Sequence, residues 1–154
     1  MKKFNKISMG VLSGILGNIF CFYHIALKRK LIIFQLDAAN QLSHILPVIF
    51  EIKNRQSANK YVLLFMANMT EISALRKILS KKNISGLTLP LTGTSFLLAW
   101  HIVVGLDQRM RYPAINLFTK NRICMFHGQP TKGNVYSGFN YRQIDHLFFY
   151  GPLM

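Results

Sequence analysis

The residues best suited to chemistry lie together in Arg122-Ile-Cys-Met-Phe-His-Gly-Gln-Pro-Thr-Lys-Gly133. A strand-type apolar run, residues 123–126, breaks abruptly into His127-Gly128-x-Pro130-x-Lys132-Gly133, so an imidazole and an ammonium share one loop at a strand end. With an ordinary pKa of about 6.5, His127 suits general-base work near neutrality. Lys132 can neutralise a phosphate, while Gly128 and Gly133 let backbone N–H groups face an anion. Pro130 stiffens the loop between the two functional groups. The plainer roles are a strand-end histidine satisfied by backbone and a solvated loop lysine. The glycine- and proline-bearing spacing favours function for His127.

Other chemistries lack their residues. Cys124-x-x-His127 puts its two groups on opposite faces of a strand, and no second ligand pair accompanies it, so neither a metal nor another cofactor is expected. Neither Gly-x-Ser-x-Gly, a P-loop nor Gly-x-Gly-x-x-Gly occurs. His101 and His146 each open an apolar run and are expected to be structural.

A strand-end loop works only if the fold brings other groups to it. Apolar runs of strand length recur at 31–36, 61–66, 86–90, 101–106, 123–126 and 146–150. Between the first two, Leu42, Ile45, Leu46, Ile49 and Phe50 recur at helical spacing, and Pro47 either starts or kinks that helix. Thr70 is the expected N-cap of a helix over 71–82, with basic residues gathered at its C-terminal end. Strands separated by helix-sized segments predict an α/β fold, a Rossmann-like parallel sheet with right-handed crossovers. In such a sheet the residues following each strand fall on one edge. Asp37, Asn40 and His44, then Asn68 and Thr70, then Asp107, Gln108 and Arg109, then His127 and Lys132 should therefore converge. Of these, Asn40, His44, Asp107 and Arg109 are the candidate substrate-binding groups beside His127, Lys132, Gly128 and Gly133.

At 154 residues the chain suits one domain, and 51% hydrophobic against 16% charged residues excludes a disordered chain. Nineteen Lys and Arg against five Asp and Glu give a formal charge of +14, which calls for anionic partners. The aromatics follow strand and helix periodicity and read as core, so no nucleic-acid partner is expected. Cys21 and Cys124, far apart and outside any C-x-x-C, read as reduced cytosolic thiols. Residues 1–30 stand apart from 31–154. Lys2, Lys3 and Lys6 precede an apolar segment, 7–27, and Lys28-Arg29-Lys30 follows it. Gly10, Ser13, Gly14, Gly17, Asn18, Cys21 and His24 form one small, polar stripe. A helix lying on or in an anionic membrane is favoured over one packed on the domain or a partner, and over a true span. A cleavable signal peptide is not expected, since no small-x-small site follows.

The stretch Phe126-His-Gly-Gln-Pro-Thr-Lys-Gly133, with Ile144-Asp-His-Leu-Phe-Phe-Tyr-Gly-Pro-Leu-Met154, resembles the CDP-glycerol glycerophosphotransferases, the teichoic-acid polymerases and their relatives. The likeness is specific over 123–154 and fold-level over 31–112. It implies the N-terminal, acceptor-side half of a GT-B fold, with His127 as base. It further implies a CDP-glycerol or related nucleotide donor held by a second Rossmann-like half that this sequence lacks. The acceptor would be a polyol phosphate, and the location peripheral, on the cytoplasmic face of the cell membrane. The chain by itself is then expected to be inactive. Two rivals are another GT-B glycosyltransferase or epimerase-like protein on a sugar nucleotide, and a non-catalytic, basic, membrane-associated interaction protein.

Overall fold

Residues 31–36 are buried on both faces of the strand they form, which only a sheet covered on both sides can satisfy. The computed structural model describes residues 2–55, 60–106, 121–126 and 145–149. They form helix α1 (Lys2–Ala26), strand β1 (Lys30–Leu36), α2 (Leu42–Asn54), β2 (Tyr61–Ala67), α3 (Ile72–Lys81), β3 (Leu87–Pro90), β4 (Ile102–Leu106), β5 (Asn121–Phe126) and β6 (His146–Phe149). All strand pairs are parallel, in the order β3-β2-β1-β4-β5-β6. That is the doubly wound Rossmann order, which reverses direction between β1 and β4. The α/β, Rossmann-like expectation is met, and each apolar run of the sequence became a strand.

The period-two side-chain alternation of the strands divides the core into two layers. Ile32, Phe34, Leu36, Leu63 and Phe65 face α2 and α3, which contribute Leu42, Ile45, Ile49, Ile72, Leu75 and Leu79. Phe34 and Phe65 stack there with ring centroids 5.5 Å apart. α2 continues through Pro47, which sits on its exposed side. On the opposite face, Leu31, Ile33, Leu64, Met66, Leu89 and Val103 meet Leu97, Ala99, Trp100 and Cys21.

The second layer is built in an unusual way. The crossover from β3 to β4 would ordinarily carry a helix over this face. Here it holds only a 3-10 segment, Leu91–Phe96, and an extended stretch, and α1 lies over it instead. The small, polar stripe of α1 is the docking surface. A Cβ on Gly14 would overlap Cβ of Phe96, and one on Gly17 would meet Leu97 Cδ2 at 2.6 Å. Asn18 clasps the extended backbone from both sides: its Nδ2 donates to Phe96 O at 2.8 Å and its Oδ1 accepts from Leu98 N at 2.8 Å. Ser13 Oγ donates to Pro90 O at 3.2 Å.

α1 and α3 both stop by the same device. The Arg29 N–H bonds to His24 O and the Lys28 N–H to Ile25 O, with Lys28 at φ 57°. Asn83 does the same after α3, at φ 53°. Each is a left-handed C-cap that turns the chain back toward the sheet.

Candidate functional site

The parallel order gathers the C-terminal ends of β1 (Leu36), β2 (Ala67), β3 (Pro90), β4 (Leu106) and β5 (Phe126) on one edge. Ligands of doubly wound sheets bind outside those ends, where the strand order reverses, here between β1 and β4. β5 lies next to β4, with Leu106 paired to Met125. Neighbouring strands are about 4.8 Å apart. Asp107 and His127 therefore follow directly on two adjacent strand ends. Both residues, with Arg109, Gly128, Lys132 and Gly133, lie outside the described residues.

What is described at this edge is the turn from β1 into α2. The first such turn normally offers its backbone N–H groups to a phosphate. Here the chain's own side chains have taken them. Gln41 Oε1 accepts from Asp37 N at 2.7 Å and from Ala38 N at 3.3 Å. Glu71 Oε2, reaching across from the start of α3, accepts from Ala39 N at 3.0 Å. Three consecutive donors are thus satisfied internally, and a carboxylate stands where a phosphate would. Asn68 Nδ2 ties the two neighbouring turns by donating to Asp37 O at 2.6 Å. The turn is self-capped, so its N–H groups at 37, 38 and 39 are already paired within the chain.

Of the candidate residues, Asn40 and His44 fall on the expected edge. Asn40 is exposed, and its carbonyl accepts from Ser43 Oγ at 2.8 Å. His44 is half-buried in the first turn of α2. Thr70 does not cap α3. The helix starts at Ile72 after a 3-10 turn, Met69–Glu71, without a side-chain cap bond. The carboxylate of Glu71 instead accepts from the part-buried Ala39 N–H of the neighbouring turn. Gln41 and Glu71 are the site residues that sequence reasoning passed over. Their one signal was polarity directly after a strand, which they share with every loop residue.

The opposite, N-terminal edge holds structural groups. His101 Nδ1 accepts from Leu31 N at 3.1 Å, so the imidazole completes the ladder where β1 and β4 begin, as expected of a structural histidine. Asp145 clamps β6 to β5. Its carboxylate accepts from Arg122 N, Nε and Nη2 at 2.7, 3.1 and 3.2 Å. The hydrogen bond from the Arg122 guanidinium holds the Asp145 carboxyl below the usual carboxylate range. A cavity of about 590 Å³ opens on this same edge, between Phe20, His24 and Arg29 of the α1 end, Lys53 of α2, and the starts of β2 and β3. It faces away from the strand-order reversal.

Both cysteines are free and buried, and burial pushes the Cys21 thiol up to about 12. Cys21 therefore does not serve as a nucleophile near neutral pH. Comparison with protein-family models, curated proteins and solved structures finds no match.

Proposed function

We propose that this chain is the acceptor-side half of a glycerophosphotransferase, which moves glycerol phosphate from CDP-glycerol to a polyol-phosphate, teichoic-acid-like acceptor. The observation that carries the reading is the end of β5 at Phe126, one strand from the reversal between β1 and β4, so that the His127-Gly128 loop begins at the ligand-binding edge. The self-capped β1–α2 turn supports the same assignment. With its N–H groups taken by Gln41 and Glu71, this half offers no nucleotide-phosphate cradle there. Such a half suits an acceptor, with the donor nucleotide bound by a partner Rossmann-like half. For the same reason it argues against a sugar-nucleotide enzyme holding its nucleotide at this turn.

In the proposed reaction His127 takes the proton from the acceptor's terminal hydroxyl. The freed oxygen attacks the β-phosphorus of CDP-glycerol, a new P–O bond forms, and the P–O bond to CMP breaks with its electron pair leaving on CMP. Lys132 and the neighbouring backbone N–H groups offset phosphate charge. Electrostatic positioning of this kind carries most of the barrier reduction in phosphoryl transfer.

The test is CMP release from CDP-glycerol, with and without a glycerol-phosphate acceptor, by the chain joined to a nucleotide-binding half. Acceptor-dependent release is expected, and His127→Ala should lower kcat by about 10²–10⁴. Near-full turnover by H127A would make the histidine structural and end the assignment.

A further inference from the structure

α1 carries two faces with opposite fates. One is docked on the domain from Gly10 at the 3-10 segment to Cys21 in the core. Opposite it, Leu12, Ile15, Leu16, Ile19, Phe22 and Tyr23 stand exposed, with Ile19 at 62% and Ile15 at 51%. This is a strip of aliphatic and aromatic side chains on a helix of 25 residues, or about 37 Å at 1.5 Å per residue. A soluble domain does not leave such a strip in water without a use for it. The segment Ser8–Ala26 is apolar enough to cross a membrane by composition, with a mean hydropathy of 1.5. Its docking forbids that. Crossing a bilayer would require Asn18 to release the Phe96 and Leu98 backbone, or would carry that backbone and the sheet behind it into hydrocarbon.

Charge identifies the occupant. The exposed Lys28 and Lys30 follow the C-terminal end of the apolar strip, and Lys2, Lys3 and Lys6 precede it in sequence. An apolar helix face with bases at both ends matches the boundary between acyl chains and anionic headgroups. A second copy of a chain at +14 would bring like charges together along the same strip.

We infer that α1 lies flat in the interface of an anionic bilayer while remaining docked on the sheet, so that the membrane is the missing cover of this layer. The inference is independent of the transfer reaction. The domain is held with its sheet alongside the bilayer, and α1 acts as an in-plane seat and not as a span.

Sedimentation of the full chain with vesicles tests it. Binding is expected to vesicles of mixed phosphatidylglycerol and phosphatidylcholine, to weaken with salt, and to be much weaker on phosphatidylcholine alone. Equal binding to both would overturn the inference. Ile15→Glu with Ile19→Glu should abolish binding without shifting the emission of Trp100. Lys28→Asn with Lys30→Ser should weaken it by about 30-fold, at the usual contribution of a base near a charged membrane surface. Docking is tested by a disulfide. A Cβ on Gly10 would lie 3.6 Å from Thr92 Cβ, within bonding range, so Gly10→Cys with Thr92→Cys can lock α1 to the domain. The oxidised, locked chain should bind vesicles as well as the reduced one. If locking abolishes binding, or if a carbonate wash fails to release the chain, α1 inserts as a span and the inference fails. It fails equally if the Ile15/Ile19 pair of substitutions splits a stable dimer and leaves vesicle binding unchanged.

Discussion

Gly14→Ala separates two pictures of the N-terminal helix by the sign of its effect. In an undocked helix, alanine is favoured over glycine by about 1 kcal/mol, so the substitution should stabilise or do nothing. In the docked helix the new Cβ falls on Cβ of Phe96, an atom fixed to the backbone that no rotamer change can move aside. Overpacking of that kind costs about 1–3 kcal/mol. If α1 lifts to relieve it, the two Asn18 bonds to Phe96 O and Leu98 N weaken as well, at about 1 kcal/mol each. Set against the helix-propensity gain, the net loss is about 2–4 kcal/mol. For a domain of this size that lowers Tm by about 5–15 °C. The chain's one tryptophan, Trp100, is buried in the same layer as Cys21, so its emission reports directly on the docking. Thermal unfolding followed at that fluorophore should show the lowered midpoint. An unchanged or raised midpoint would refute the docked geometry.

Asn18→Ala should destabilise by about 2 kcal/mol in urea unfolding, since it leaves the Phe96 carbonyl and the Leu98 N–H without their partner. Asp145→Asn should remove the acid limb of the stability curve assigned to the β5–β6 clamp. The Asp145 carboxyl titrates below its ordinary value because Arg122 bonds the charged form. Its contribution is therefore present above the unfolded carboxylate pKa and lost as pH falls through the depressed one, so the stabilities of the two chains should lie apart near neutral pH and converge on acid titration through that range. Cys21, with its thiol raised to about 12, should resist alkylation at pH 8 in the folded chain and react at once in urea. Rapid labelling of folded Cys21 would show α1 detached. Glu71→Gln keeps an oxygen acceptor for the Ala39 N–H and should cost under about 1 kcal/mol, whereas Glu71→Ala should cost about 1.5–3 kcal/mol.

The fold class was legible because a buried parallel strand needs apolar residues on both faces, and runs such as 31–36 and 61–66 contain little else. The same regularity fixed the edge on which β1, β4 and β5 end, at Leu36, Leu106 and Phe126, since all the strands run one way. The small stripe of α1, from Gly10 to His24, was equally plain as helical periodicity. What it packs against was not. A stripe of glycines says that something approaches closely, and only the tertiary structure supplies Phe96, Leu97 and the backbone that Asn18 clasps. The bonds from Gln41 and Glu71 to the β1–α2 turn were invisible for a related reason. Glu71 meets Ala39 across 32 positions of chain, and a carboxylate near a helix start looks the same in sequence whether it caps its own helix or a neighbour's turn. Local pattern determines which elements form and which way they face. Which polar atoms meet is decided by how those elements pack, because a hydrogen bond depends on a few tenths of an ångström that no spacing rule carries.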